Sequence, residues 1–400
     1  MKQILSLLLA SALTISVTGC AGNTETPPVP ETTETAAQTT AATATQTETH
    51  TTTQTTTTQT TTNQTTTQTT TTETTSTTAE TTAETMPPTE PPMTEAPQYG
   101  NTAMYGGVMV TDSGTPQARA LELFSGSFKN GVRYAEALNQ CKASFGEGVQ
   151  VWTMVIPTSA AYYLPEEYAA QYGSQLDNTN NIAEHLSGVT LVPVYEAIGA
   201  HTEEYLYSRT DYHWQPLAAY YAAEQFAASA GVPFAALDTY QPVTREGYVG
   251  AFYAVNGISE LKNAPDAFTY YKPANLDSLT CTYYDTAFSN PKQKRLFFED
   301  NSLAASYTVY VGRDDCILQV DTGIESDRVL VIFKDSYGNA LVPFLTESFS
   351  TIYLCDFRYF DVNAQSFIQQ VGATDVLFAM SAVACTTSVK ISQLEENVAK

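Results

Sequence analysis

"VLVIFKDSYGNALVPFL", residues 329–345, is the stretch whose reading decides the fold. Val329 to Phe333 is a continuous apolar run rich in β-branched residues, the mark of a strand buried on both faces. Lys334, Asp335 and Ser336 then turn the chain into a helix. Comparable strand-like runs occur at 149–157, 188–194, 205–210, 307–312, 350–354 and 375–379. Helical patterns lie between several of them: 117–145, broken near Ser125-Gly126; 181–186; and a helix opened by Gln215-Pro216 and lasting to about 230. Proline suits that first turn because its missing N–H would have no partner there. Strands alternating with helices predict an α/β fold with a mainly parallel sheet covered on both faces. Residues from about 240 to 305 are rich in Tyr, Asn, Asp and Pro, and predict an irregular insertion.

In such sheets functional groups gather beyond the carboxyl ends of the strands. Ser336 follows one predicted strand there, and Asp211 follows another. Two readings fit the serine turn. Free backbone N–H groups at a helix start suit a developing oxyanion beside Ser336. Alternatively, Asp335 or Ser336 simply caps the helix. The stretch "TDYHWQPLAAYYAAEQF", residues 210–226, constrains the choice further. In an extended chain, residues two apart share a face, so Asp211 can orient the ring of His213 and leave its other nitrogen as a base. A serine brought to that nitrogen would complete a triad, which is recognised by roles and not by chain order. A hydrogen-bonded corner with no chemistry is the competing reading. His185 and His201 lack such a neighbour and read as surface or packing residues.

The run YSRTDYHWQPLAAYYAAEQF resembles the signature of the bacterial DHHW protein family, a TDHHW stretch followed by a small-residue helix. VWTMVIPTSAAYYLPEEY, the region around Gly250-Ala251-Phe252, KDSYGNALVPFL and CDFRYF resemble further blocks of that family, covering about 120–380. The family is similar to SGNH-hydrolase-like alginate O-acetyltransferase proteins. The resemblance implies a flavodoxin-like, three-layer α/β/α sandwich, with Asp211, His213 and Ser336 as orienting acid, base and nucleophile. Two positions depart from the pattern: Tyr212 stands where the first histidine of DHHW is expected, and Lys334 where related serine turns often carry glycine. Tyr337 and Asn339 are candidates for contact with substrate or oxyanion. Arg358 suits either a substrate carboxylate or carbonyl or a plain ion pair with Asp356. Arg209 could pair with Asp211, and Trp214 reads as packing before sugar stacking.

The first twenty residues read as an export signal. Lys2 precedes an apolar run from 4 to 17 that is short for a membrane span, and Val17-Thr18-Gly19-Cys20 resembles a lipobox, with Cys20 the lipidated residue. A diacyl anchor would hold the chain durably at the outer face of a bacterial membrane. Residues 21–98 read as a linker: 25 of the 40 residues at 41–80 are threonine, so no core can form. As a flexible coil it would span about 50 Å. The remaining domain, 99–400, keeps 33 acidic and 17 basic residues, near −16, which argues against nucleic acid as a partner. Five cysteines fall in it; Cys281 with Cys316 could bridge, and no spacing suggests zinc. Together these readings predict an anchored extracytoplasmic serine esterase or O-acyltransferase of polysaccharide, needing an acyl donor and no cofactor or metal. The alternative is an inactive scaffold of the same fold that binds glycan or organises a wall assembly.

Overall fold

The computed structural model describes residues 100–399, so the export signal, the linker and Cys20 lie outside the described residues. Thirteen strands form three sheets. Strands β1 (Ala103–Tyr105), β2 (Val108–Thr111) and β3 (Arg119–Glu122) make a small antiparallel sheet. Strands β6 (Gln241–Tyr248) and β7 (Asp266–Lys272) make an antiparallel pair. The central sheet contains β4 (Gln150–Ile156), β5 (Thr190–Leu191), β8 (Thr280–Tyr284), β9 (Lys292–Lys294), β10 (Ile317–Asp321), β11 (Val329–Lys334), β12 (Thr351–Asp356) and β13 (Asp375–Ser381). Its order is β5-β4-β13-β11-β12-β10-β8-β9.

The central sheet is mixed. Pairing is parallel from β5 through β12, then antiparallel through β10, β8 and β9. The expectation of a mainly parallel sheet therefore describes one half of it. The other half comes largely from the segment expected to be irregular, because β8 and β9 are short and polar on their exposed positions and carry no long apolar run. The fold differs from expectation elsewhere too. Residues 119–122 pair with β2, and the helix starts only at Phe128–Phe145, where Ser127 accepts the N–H of Asn130 at 3.3 Å. Residues around 188–194 supply just β5 before the helix Val194–Gly199. Of the expected strand at 307–312, residues 307–309 end the 3-10 helix Leu303–Val309 and Tyr310 makes a lone antiparallel bridge to Phe297.

Alternate residues of the parallel strands enter two cores. Trp152, Met154, Leu330, Ile332, Leu354 and Leu377 pack with the helix Pro216–Ala230 on one face. Val151, Val155, Val331, Phe333, Cys355 and Phe378 pack with the helices Phe128–Phe145 and Ala364–Val371 on the other. Burying each such side chain contributes about 1.5–3 kcal/mol, and that two-sided burial sets the register. Cys141, Cys281, Cys316, Cys355 and Cys385 are free, so Cys281 and Cys316 do not bridge. Four of the five are buried and act as small apolar residues.

A charged network sits where β11 and β12 end. Lys334, 1% exposed, places its ammonium 2.7 Å from Asp314 Oδ1 and 2.8 Å from Asp356 Oδ2. Arg358 adds Nε to Asp356 Oδ1 at 2.7 Å and Nη2 to Asp314 Oδ2 at 2.9 Å. Burial works to raise the Asp314 carboxyl, but Lys334 and Arg358 outweigh it and hold the group below the ordinary aspartate range. The folded state thus binds this proton less readily than the unfolded chain. The resulting stabilisation is present above the unfolded value, about 3.9, and is lost as pH falls through the folded one. Asp314→Asn should flatten the acid side of the stability profile: the denaturation midpoint should drop less between pH 6 and pH 3 than in the native chain. Gly338 packs against the same lysine, and an added Cβ would lie 2.5 Å from Lys334 Cβ. Gly338→Ala should cost about 1–3 kcal/mol by overpacking, read from urea denaturation.

Candidate active site

The turn after β11 separates two jobs that one residue could have done. Asp335 is the helix cap: its Oδ1 accepts the Tyr337 N–H at 3.1 Å. Its Oδ2 accepts the backbone and hydroxyl of Ser381 at 3.0 and 2.7 Å, tying the turn to the end of β13. Ser336, partly exposed, is left to point elsewhere. Its Oγ lies 2.8 Å from His213 Nε2.

His213 reaches that position from a bend. The chain at 209–213 bends where the sequence suggested an extended segment after a strand at 205–210; a lone antiparallel bridge between Tyr207 and Trp214 closes it. Asp211 Oδ1 accepts both the backbone N–H of His213 at 2.9 Å and its ring Nδ1 at 2.7 Å, an Asx-type turn that sets the imidazole. With Asp211 on Nδ1, Nε2 faces the serine. The ring is also clamped: Tyr307 stacks on it, centroids 3.8 Å apart and planes 8° off parallel. The 3-10 helix that replaced an expected strand is what delivers Tyr307.

Asp211 is 4% exposed, and its second oxygen accepts the Tyr248 hydroxyl at 2.5 Å and the Ala251 N–H at 2.7 Å. Burial works to raise its carboxyl, yet the charge of His213 and the hydrogen bonds from His213 and Tyr248 outweigh it and keep it low. Gly250 permits this approach, since a Cβ there would lie 2.4 Å from Asp211 Cβ and Oδ2. Asp266, 1% exposed, holds the loop from behind by accepting the N–H groups of Arg209 and Thr210 at 3.0 and 2.9 Å. Arg209 accordingly pairs with Asp266, at 3.4 Å, and not with Asp211. The small sheet supports the same loop: Ala120 of β3 donates to Arg209 O at 2.8 Å.

The remaining sequence-based candidates are occupied within the protein. Tyr337 is buried; its hydroxyl donates to Tyr212 O and its N–H to Asp335. Asn339 Nδ2 donates to Asp314 Oδ1 at 2.9 Å, and the Asn339 Oδ1 is buried without a hydrogen-bond partner among the described residues. Arg358 forks onto Asp356, as its ion-pair reading had it. Trp214 is fully buried, and its Nε1 donates to Tyr307 OH and Tyr337 O, so it packs the floor of the site. Sequence reasoning missed Tyr248 and Tyr307, which lie in segments read as irregular or as strand; the Gly250-Ala251-Phe252 block was the only signal near them. His185 is exposed, and His201 stacks on Tyr221 and bonds to Glu204 at 2.9 Å. Among the described residues, His201, Glu203 and Glu204 form the one trio able to hold an ion, and it shares no residue with the Asp211–His213–Ser336 line.

Known proteins share this fold. A DHHW family protein from Eubacterium siraeum DSM 15702 is 40% identical and superposes with a TM-score of 0.71, covering 76% of this chain and 99% of that one. Two structures of Bacillus cereus PatB1, one with a sulfonyl adduct, share the fold at 16% identity. Their TM-scores are 0.57 and 0.56, with 68% and 72% of this chain and 96% and 98% of PatB1 covered. No curated protein sequence matches. The DHHW protein family matches residues 110–355, a span that holds all three residues of the hydrogen-bonded line, and the chain belongs to that family.

Proposed function

We propose that the domain is an SGNH-hydrolase-like α/β/α serine esterase or O-acyltransferase, with O-acetyl transfer to a cell-surface or secreted polysaccharide as its reaction. One observation carries this reading: Ser336 Oγ, His213 and Asp211 stand in line at 2.8 and 2.7 Å. Ser336 Oγ attacks the acyl carbonyl carbon while His213 Nε2 takes its proton. Asp211, kept anionic by its partners, stabilises the imidazolium that forms. The tetrahedral oxyanion faces the first turn after β11, where the Ser336 N–H is the donor for it now that Tyr337 and Asn339 donate elsewhere. Collapse expels the donor's alcohol, which takes the proton back from Nε2 and leaves an acyl-serine. A glycan hydroxyl, or water in the hydrolytic variant, repeats the sequence in reverse.

The similarity of the family to polysaccharide O-acetyltransferases supports the acyl class, and the stacked, buried imidazole supports a base held in one orientation. A lipid anchor at Cys20 and the threonine-rich linker would carry the domain away from the membrane toward the wall. Arg358 in this reading holds Asp314 and Asp356 at the mouth and does not itself bind substrate.

The full chain treated with a fluorophosphonate should gain one adduct by intact mass, absent in Ser336→Ala and His213→Ala. A folded chain that gains none would shift the reading to a glycan-binding scaffold. Asp211→Asn should slow labelling by about 100-fold or more, the range of lost acid-base assistance. Gly250→Ala, which pushes on the same carboxylate, should slow it in the same direction, whereas an unchanged rate would mean that Asp211 does not orient the base.

A further inference from the structure

Outside the serine site, one cavity of about 290 Å³ lies between β8, β9 and the segment leading into β10. Its wall includes Tyr283, Tyr284, Lys292, Lys294, Arg313 and Cys316. A second cavity of about 270 Å³ shares Lys294 and adds Lys272 and Arg295. Five of the chain's 18 basic residues thus line two adjoining cavities of a protein whose net charge is −24. That concentration runs against the overall field, so it calls for a local reason.

Two of these cations are unused. Arg313 pairs with Asp315, Arg295 with Asp300 and Lys272 with Glu299. Lys292 and Lys294 have no carboxylate partner among the described residues; Lys294 meets only the Tyr283 ring, 5.1 Å from its centroid. Asp285, also on the wall, spends its oxygens on Ser289 and Asn290. Three cations against two carboxylates leave the first cavity net positive, with two tyrosines beside it.

Position ties this cavity to the serine. Lys334 is in register with Asp356, Cys355 with Ile317, Ile317 with Tyr284, and Tyr283 with Lys292. The cavity therefore opens at the same edge of the sheet as Ser336, displaced sideways by two to four strands, roughly 10–20 Å at about 4.8 Å per strand. The segment between them is shared. Asp314 faces Lys334 and Asn339, and its neighbours Arg313 and Asp315 face the cavity.

We propose that this cavity is a binding subsite for an anionic saccharide, in which a carboxylate or phosphate on the glycan chain meets Lys292 and Lys294 and the sugar lies against the partly exposed Tyr284. An acceptor chain anchored there would run along the sheet edge to present a hydroxyl at Ser336. The assignment of this ligand as the acceptor rests on the acyltransferase reading; the binding itself does not.

Calorimetric titration of the full chain tests it with three oligosaccharides. Trigalacturonate carries carboxylates, phosphorylated maltotriose carries phosphate, and maltotriose carries neither. One or both charged oligomers should bind at least tenfold more tightly than maltotriose, and the tighter of the two identifies the anion. Lys292→Ala with Lys294→Ala should weaken that binding at least tenfold, and the paired Lys→Arg changes should retain it. Ser336→Ala should bind as the native chain does, so a failure of the triad leaves this result standing. Equal binding of all three oligomers, no binding of either charged one, or charged binding indifferent to the double alanine change would each overturn the proposal.

Discussion

The Asp211 carboxylate is the contact on which the site depends. It accepts four donors from three separate places in the chain: the backbone and ring of His213, the Tyr248 hydroxyl at the end of β6, and the Ala251 N–H beyond Gly250. A buried carboxylate carries a large desolvation cost unless its lone pairs are filled. Filling them draws the β6–β7 lobe, the 209–213 bend and the first turn of Ala251–Ala254 together. The geometry of the imidazole follows from this satisfaction, because the same oxygen that closes the Asx turn also takes Nδ1.

A second constraint acts on the serine. Its turn rests on Lys334, buried and neutralised by Asp314 and Asp356. The lysine side chain fills space, so Gly338 must pass close above it. Asp335 caps the turn and reaches Ser381, which frees Ser336 from the capping role a serine often takes at such a position. The turn is therefore fixed from below by charge and from the side by a carboxylate, with the Ser336 hydroxyl as its partly exposed point.

The two constraints meet through aromatic packing. Tyr307 stacks on His213 while its hydroxyl, with Trp214 Nε1, bonds to the Tyr337 carbonyl. Base and serine turn thus share one buried aromatic floor, and movement of either element would disturb the other. Trp214, fully buried, joins the two halves of the site from beneath.

Residues 149–157, 216–230, 329–345 and 375–379 were legible from sequence because their periodicity is a local consequence of two-sided burial. So was the pair Asp211–His213, since two residues that close in sequence can interact in almost any backbone. Even there the conformation differs, a bend in place of an extended segment, although the contact survived. The antiparallel half of the sheet, β8 to β10, was not legible, because its strands are only three to five residues long and the edge strand β9 reads Lys292-Gln293-Lys294, exposed throughout, with no apolar period. Tertiary structure alone decided that His213 meets Ser336, 123 positions away, and that Tyr248, Tyr307 and Ala251 complete the site. Sequence determined which groups were chemically able to act. Which of them meet depends on long-range packing, where a carboxylate seeks donors and an aromatic seeks a face, and those partners are chosen in space without regard to separation along the chain.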